Sequence, residues 1–208
     1  MTLAESLKER TTDLHRYAET RPLQKALVAG QVTRHQLATY LAQLGYVHKA
    51  IEDLLSTLPH SALAGFEACS CEHSKAIAED LKVLDGSTCI LPETARIVDE
   101  LHAHAAEAPL FVVGTLYVLE GSMNGNKYIA RGLASALGIQ SGEPGLSYWD
   151  PYGEAQVERW QAFRKALDDL HLTEAEVKAV HHGAEFMFKG IAEIADAAAN
   201  EAGLIPTA

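Results

Sequence analysis

Two glycines and two small polar side chains interrupt an apolar helical pattern between residues 114 and 133. Gly121 and Gly125 lie one helical turn apart, and Ser122 and Asn126 directly follow them. A glycine inside a helix costs about 1 kcal/mol relative to alanine. Glycine also lets another group approach the backbone closely, either a neighbouring helix or a bound ligand. The pattern therefore indicates close helix packing or a binding site at this helix.

A histidine with a carboxylate one turn away lies on the first predicted helix. His15 shares a helical face with Glu19, four residues later, and with Lys8, one heptad earlier. A carboxylate that holds one imidazole nitrogen orients the other nitrogen toward a metal, which is typical of an oriented metal ligand. Taken alone, a histidine on such a face is more often a packed or exposed side chain.

Other patterns for metal or nucleophilic chemistry are weaker. The run CSCEH brings Cys69, Cys71 and His73 together, but tetrahedral zinc sites usually have wider pairs and a matching second pair. A di-iron site needs Glu-x-x-His pairs on two helices, and no histidine has a glutamate three residues before it. A thiamin-cleaving enzyme needs a nucleophilic cysteine in its pocket, whereas the cysteines lie away from the glycine-rich helix.

The composition is that of one soluble globular domain over residues 1–208. The chain is 48% hydrophobic and 22% charged, with a formal net charge of −11, which disfavours nucleic acid and anionic membranes as partners. No apolar run approaches the roughly 18 residues that cross a bilayer, and MTLAESLKER lacks the apolar core of a signal peptide. Three cysteines without an export signal do not suggest disulfides. We expect a cytoplasmic protein.

Capping boxes, prolines and apolar stripes delimit the predicted helices. The boxes begin at Thr2, Thr33 and Thr173, each with Glu or Gln three residues later. No period-2 alternation indicates a strand, so the predicted fold is all-α. Residues 138–153 form the one long predicted loop, and residues 204–208 a short flexible tail. Three helices have predicted bounds of Pro22 to Ala29, Cys71 to Leu84, and Pro92 to about Ala108.

Several segments resemble successive parts of the haem oxygenases, particularly the bacterial biliverdin-forming type. They include ESLKERTTDLHRYAETRPLQKALVAGQVT, EHSKAIAEDL and LYVLEGSMNGNKYIARGL. The likeness runs from about Glu5 to about Ile194. Its most specific parts are Leu-Lys-Glu-x-Thr-x-x-x-His ending at His15, Gly-Gln-Val-Thr at 30–33, and the glycine-rich helix. This resemblance implies a single-domain helical bundle with a kinked glycine-rich distal helix.

The resemblance also implies roles for residues that contact haem. His15 would be the proximal ligand of the haem iron, and Glu19 would hold its ring. Lys8 and Arg164 would meet the haem propionates, a role that suits their positive charge.

The glycine-rich helix would form the distal wall, with its backbone close over the haem. Gly121 and Gly125 would then leave room for the flat macrocycle and for bound oxygen. Ser122 and Asn126 would lie in the same distal wall. Tyr117, at helical spacing on this helix, is expected to line the core or the pocket rather than to react.

The activity that the resemblance implies uses haem as both cofactor and substrate. Oxygen and external electrons would convert haem to biliverdin, carbon monoxide and ferrous iron. The chain carries no Rossmann fingerprint or cluster motif, so a ferredoxin or an NADPH-dependent reductase would supply the electrons. The biliverdin would serve iron release or a bilin-using photoreceptor. The alternative is a haem-binding protein of this fold without turnover, such as a sensor, buffer or degenerate homologue.

Three positions depart from the family pattern. Asn126 stands where members commonly have a second adjacent glycine, Ser122 where many have an aspartate, and Trp160 where some have a lysine. The amide of Asn126 would either donate to bound oxygen or point away toward nearby backbone. We favour the second possibility because a Gly-Asn pair tolerates an unusual backbone conformation almost as well as Gly-Gly.

Overall fold

Eight α-helices, and no strand, occur within the part of the chain that the computed structural model describes: residues 1–58, 61, 63, 65–66, 72–84, 89–140 and 142–204. The all-α prediction is confirmed. None of these helices is long and apolar enough to cross a membrane. They are α1 (Leu3–Glu19), α2 (Pro22–Val28), α3 (Arg34–Thr57), α4 (His73–Leu84), α5 (Pro92–Glu107), α6 (Phe111–Leu137), α7 (Gln156–Asp168) and α8 (Glu174–Glu201).

The local signals in the sequence set most helix ends. All three capping boxes form, with the threonine side chain accepting from the backbone N–H three residues later. Prolines occupy the first turn of α2 and α5. The prediction that the fourth helix begins at Cys71 lies outside the described residues, among which α4 begins at His73. The predicted tail beyond residue 204 also lies outside them.

The predicted loop at 138–153 is more ordered than its glycine and proline content suggests. It contains two short 3-10 turns, Ser147–Trp149 and Gly153–Ala155. The fully buried carboxylate of Asp80 on α4 accepts from the backbone N–H of Gly145 at 2.7 Å and of Tyr148 at 2.9 Å. A buried carboxylate needs such donors, so Asp80 fixes this segment against the core.

The helices α6 and α8 cross at the centre of the fold with their backbones in contact. A Cβ atom on Gly114 would lie 1.9 Å from the carbonyl oxygen of Val180, and one on Gly183 would lie 2.0 Å from that of Phe111. Only glycine fits at these two positions. Around this crossing, α8 also packs against α1, α2, α3 and α5.

The small residues in α6 do not end the helix. Its helical backbone continues without a break across Gly121 and Asn126, so the kink expected there does not divide it in two. The helix ends at Gly138, which adopts the left-handed conformation with φ of 66°.

A buried polar contact attaches α6 to α4. Nε2 of His73 lies 3.1 Å from Oε1 of Glu120, and the hydroxyl of Tyr152 donates to Oε2 of Glu120 at 3.1 Å. His73 and Glu120 are only 1% and 6% exposed. Removing one partner of a buried pair typically costs about 3–5 kcal/mol. The contact therefore fixes the rotation of α6 about its axis.

The polar layer continues through Tyr148 to α3. Nε2 of His48 lies 3.0 Å from the Tyr148 hydroxyl, which is also hydrogen-bonded to Asn126 of α6. Burial, and then the nearby His73, lower the pKa of His48 well below its usual value. Burial is also the main cause that raises the pKa of Tyr148. Both groups are therefore uncharged at neutral pH.

Alanine substitutions in α6 should have opposite effects at Gly114 and Gly125. Gly114→Ala should lower the free energy of unfolding by about 3 kcal/mol or more, because α6 and α8 must move apart. Gly125→Ala should raise it by up to about 1 kcal/mol, because nothing lies within 4 Å of the new methyl group and alanine favours the helix. Urea unfolding of the unliganded protein measures both. Equal stability of the Gly114 variant and wild type would contradict the backbone contact.

His48 should make the protein less stable as the pH falls below about 6.5, its pKa when unfolded. Because its pKa is lowered in the folded state, the unfolded state binds the additional proton, and stability falls by up to about 1.4 kcal/mol per pH unit. Urea unfolding between pH 7.5 and 5.5 should show a smaller loss for His48→Gln. The exposed His102 offers a control, since His102→Gln should keep the wild-type slope. An unchanged slope in His48→Gln would exclude His48 as its cause.

Candidate functional site

His15 is held on two sides at the solvent-facing surface of α1. Its Nδ1 atom lies 3.5 Å from Oε2 of Glu19, and the two side chains are 54% and 65% exposed. The ring packs edge-on against Phe188 of α8, with centroids 5.5 Å apart. Among the described residues nothing hydrogen-bonds to Nε2 of His15. The arrangement orients one imidazole nitrogen and leaves the other available to a ligand.

The two glycines expected in the distal wall face different surroundings. A Cβ atom on Gly121 would lie 3.2 Å from the indole of Trp160 on α7, whereas one on Gly125 would have nothing within 4 Å. Free room is therefore present at Gly125. At Gly121 the indole of Trp160 lies where a side chain would point, and the role of Gly121 in the distal wall stays a prediction.

Tyr117 joins α1, α6 and α7 at one end of the site. It lies close to Thr11 of α1, and its ring centroid lies 5.6 Å from that of Trp160. Burial raises its pKa, and the positive charge of Arg164 and the nearby Thr11 hydroxyl oppose this rise. Lys8 lies about one turn before Thr11 on α1 and is exposed. Both candidate cations therefore lie toward the Tyr117 end.

The region between α1, which carries His15, and the part of α6 that carries Gly125 is named here the α1–α6 slot. At one end Thr11 of α1 lies close to Tyr117 of α6. At the other end Gly30, which follows α2, lies against Gly132 of α6. A Cβ atom on Gly30 would lie 2.9 Å from the carbonyl oxygen of Gly132. Both α1 and α6 pack against α8.

Ser122 and Asn126 use their polar groups within the protein. The exposed Ser122 donates its hydroxyl to the carbonyl oxygen of Leu119 at 2.6 Å. Asn126 is only 6% exposed and turns toward the core, where its amide nitrogen lies 3.3 Å from the sulfur of Met123. Its partners are the side chains of Met123 and Tyr148 rather than the expected backbone.

The group formed by His73, Glu120 and Tyr152 does not follow from the sequence patterns. The sequence feature that could have indicated this group is Glu120, a single glutamate in the apolar run before Gly121. A charged side chain on a buried helix face needs a polar partner. The run CSCEH groups His73 with Cys69 and Cys71 instead, and these two cysteines lie outside the described residues. No set of three potential metal ligands occurs among the residues that the structure describes.

Comparisons with known proteins agree with this architecture. Residues 1–196 match the model of the family described as "Heme oxygenase". Heme oxygenase 1 of Gallus gallus is 25% identical over 195 residues, which cover 89% of this chain and 66% of that protein. Heme oxygenase of Rhodella violacea is 25% identical over 198 residues, covering 90% of this chain and 83% of that protein. The chain thus spans just under two thirds of the length of the first relative.

The fold is also similar to that of a solved structure. The crystal structure of heme oxygenase-1 from the cyanobacterium Synechocystis, in complex with heme, gives a TM-score of 0.87 at 19% identity. The match covers 98% of this chain and 95% of that chain. At this identity it shows the fold alone. Together with the family model, which matches nearly the whole chain, these observations show that the protein belongs to the haem oxygenase family.

Proposed function

We propose that the protein binds haem in the α1–α6 slot and cleaves it with oxygen and external electrons to biliverdin, carbon monoxide and ferrous iron. The observation that carries this proposal is the pairing of His15, with its available Nε2 atom, and Gly125, where a Cβ atom would have nothing within 4 Å. Membership of the family supports the same chemistry.

The residues present fit a flat, dianionic macrocycle. His15 is oriented by Glu19 at 3.5 Å and backed by the Phe188 ring, so its imidazole would be suited to hold the haem iron. The missing side chain at Gly125 leaves the helix backbone as a flat wall. Lys8 and Arg164 lie toward the Tyr117 end, where they would pair with two propionates.

Bound haem would supply the iron that activates oxygen and the porphyrin carbon that is oxidised. The protein contributes position and shielding. His15 would hold the iron through Nε2, and Glu19, 3.5 Å from Nδ1, limits rotation of its ring. Because Gly125 has no side chain, the α6 backbone itself would face the ligand at this position and leaves room for it. The hydroxyl oxygen of Ser122, which already donates to Leu119, can still accept a hydrogen bond from water.

Electrons would come from a separate protein, a ferredoxin or an NADPH-dependent reductase, since the sequence has no dinucleotide or cluster motif. The bilin would then be released for use elsewhere, with a photoreceptor as one candidate. The second candidate function is haem binding without turnover. It is favoured by Ser122, whose hydroxyl is engaged within its own helix, where many members have a carboxylate.

His15→Ala should abolish the spectrum of imidazole-ligated haem. The alanine removes Nε2, so the Soret and visible bands of the haem-loaded variant should shift, and added imidazole should restore them. Absorption spectra recorded during a titration with imidazole measure both effects. The exposed histidine variant His102→Ala should keep the wild-type spectrum. An unchanged spectrum in His15→Ala would remove His15 from the site.

The haem-loaded protein should convert its haem when supplied with an electron donor and oxygen. The Soret band should disappear, a bilin band should grow, and a globin should trap carbon monoxide. Protein without a donor is the control, because conversion requires electrons. If the haem persists under steady reduction and no carbon monoxide forms, the protein binds haem without turnover.

Asn126→Gly should change stability more than turnover. The substitution removes the contacts with Met123 and Tyr148 and adds a helical glycine, so the unfolding free energy should fall by about 2 kcal/mol. The Asn126 side chain faces the core, so bilin formation should change less than about threefold, or ~0.65 kcal/mol. Tenfold faster bilin formation would show that Asn126 restrains the reaction.

A further inference from the structure

The indole of Trp160 fills the space that glycine leaves at position 121. Three of its ring carbons lie 3.2 to 3.7 Å from the position of a Cβ atom on Gly121. The indole also stacks on Phe163, with centroids 5.6 Å apart and planes at 11°. Phe163 packs edge-on against Phe66, and these two rings are 2% and 1% exposed. The indole therefore has a dense core behind it and cannot retreat from α6 without disturbing that core.

Tyr117 completes this aromatic surface on the other side of Gly121. Its ring centroid lies 5.6 Å from that of Trp160, and it lies close to Thr11 of α1. Trp160 and Tyr117 are named here the aromatic wall. Gly125 lies four residues beyond Gly121, about 6 Å along the helix axis, and is open. The slot thus has one closed end and one open stretch.

Positive charge is distributed unevenly near the aromatic wall. The indole of Trp160 carries no positive charge that could pair with a carboxylate. Arg164, one turn later on α7, lies close enough to Tyr117 to influence the pKa of Tyr117. The guanidinium of Arg159, the residue before Trp160, lies over the ring of Tyr152 at 4.2 Å from its centroid. From α7, Arg164 is therefore the cation directed to this end of the slot.

We propose that Trp160 determines the position of haem within its own plane, and thereby selects the meso carbon that is oxidised. This inference rests on the proposed haem site. A macrocycle between His15 and Gly125 meets the indole at Gly121 and advances no further toward α7. Because the wall is apolar and Arg164 lies beside it, one rotation of the haem places a propionate at Arg164 and an apolar edge against the indole. Other rotations bring a carboxylate against the indole and are disfavoured.

The experiment compares wild type with Trp160→Ala and Trp160→Phe. Val157→Ala is the control, because Val157 lies one turn earlier on α7 and is 54% exposed. Proton NMR of the ferric cyanide complexes counts the haem orientations through their shifted methyl resonances, independently of turnover. Chromatography then identifies the biliverdin isomers formed by each protein.

Wild type and Val157→Ala should show one dominant orientation and one dominant isomer. Trp160→Ala should reduce the ratio of the dominant to the minor orientation by about tenfold, comparable to the loss of one aromatic contact, and should yield mixed isomers. Trp160→Phe keeps an aromatic ring beside Phe163 and should reduce the ratio less. If Trp160→Ala does not fold, the shift in Trp160→Phe decides the question.

Two negative results are distinguishable. If wild type binds no haem, both the proposed function and this role of Trp160 fail. If wild type binds haem and the Trp160 variants keep its single orientation and single isomer, the haem site stands and the role of Trp160 is overturned.

Discussion

The contact between the backbones of α6 and α8 is the constraint on which the rest of the structure depends. Gly114 and Gly183 let the two helices touch, and any side chain at either position would push them apart. The helix α8 carries Phe188, which supports His15, and α6 carries Gly125. The distance between the two walls of the slot therefore follows from a crossing that lies outside the slot itself.

A second constraint sets the rotation of α6. Glu120 is held by His73 and Tyr152, and Asn126 by Tyr148, all on the buried side of the helix. Successive residues of a helix differ in direction by about 100°, so anchoring these two side chains in the core turns the adjacent glycines toward α1 and α7. Glu120 and Asn126 thus orient the face of α6 that carries the two glycines, but they do not belong to that face. Asn126 therefore occupies the core side of α6 rather than the slot.

The site itself combines a rigid end with an open stretch. At Trp160 the burial of stacked aromatic rings stabilises the aromatic wall. At Gly125 the helix makes no side-chain contact, and this part of the slot stays open. In the proposed reaction the bound macrocycle is itself oxidised, so the outcome would depend chiefly on where that macrocycle lies. Under this proposal, the shape of the slot would have the part that reactive side chains have in other enzymes.

The sequence by itself determined the features that depend on neighbouring residues. The three capping boxes, the apolar stripes of the helices and the one-turn spacing of His15 and Glu19 all appear in the structure, because each involves residues within one or two turns. Only the tertiary structure decided which glycine is open. Gly121 and Gly125 look alike in the sequence, and their difference comes from Trp160, which reaches Gly121 from another helix. Helical periodicity shows which face of a helix is apolar, but it carries no information about which distant side chain packs there.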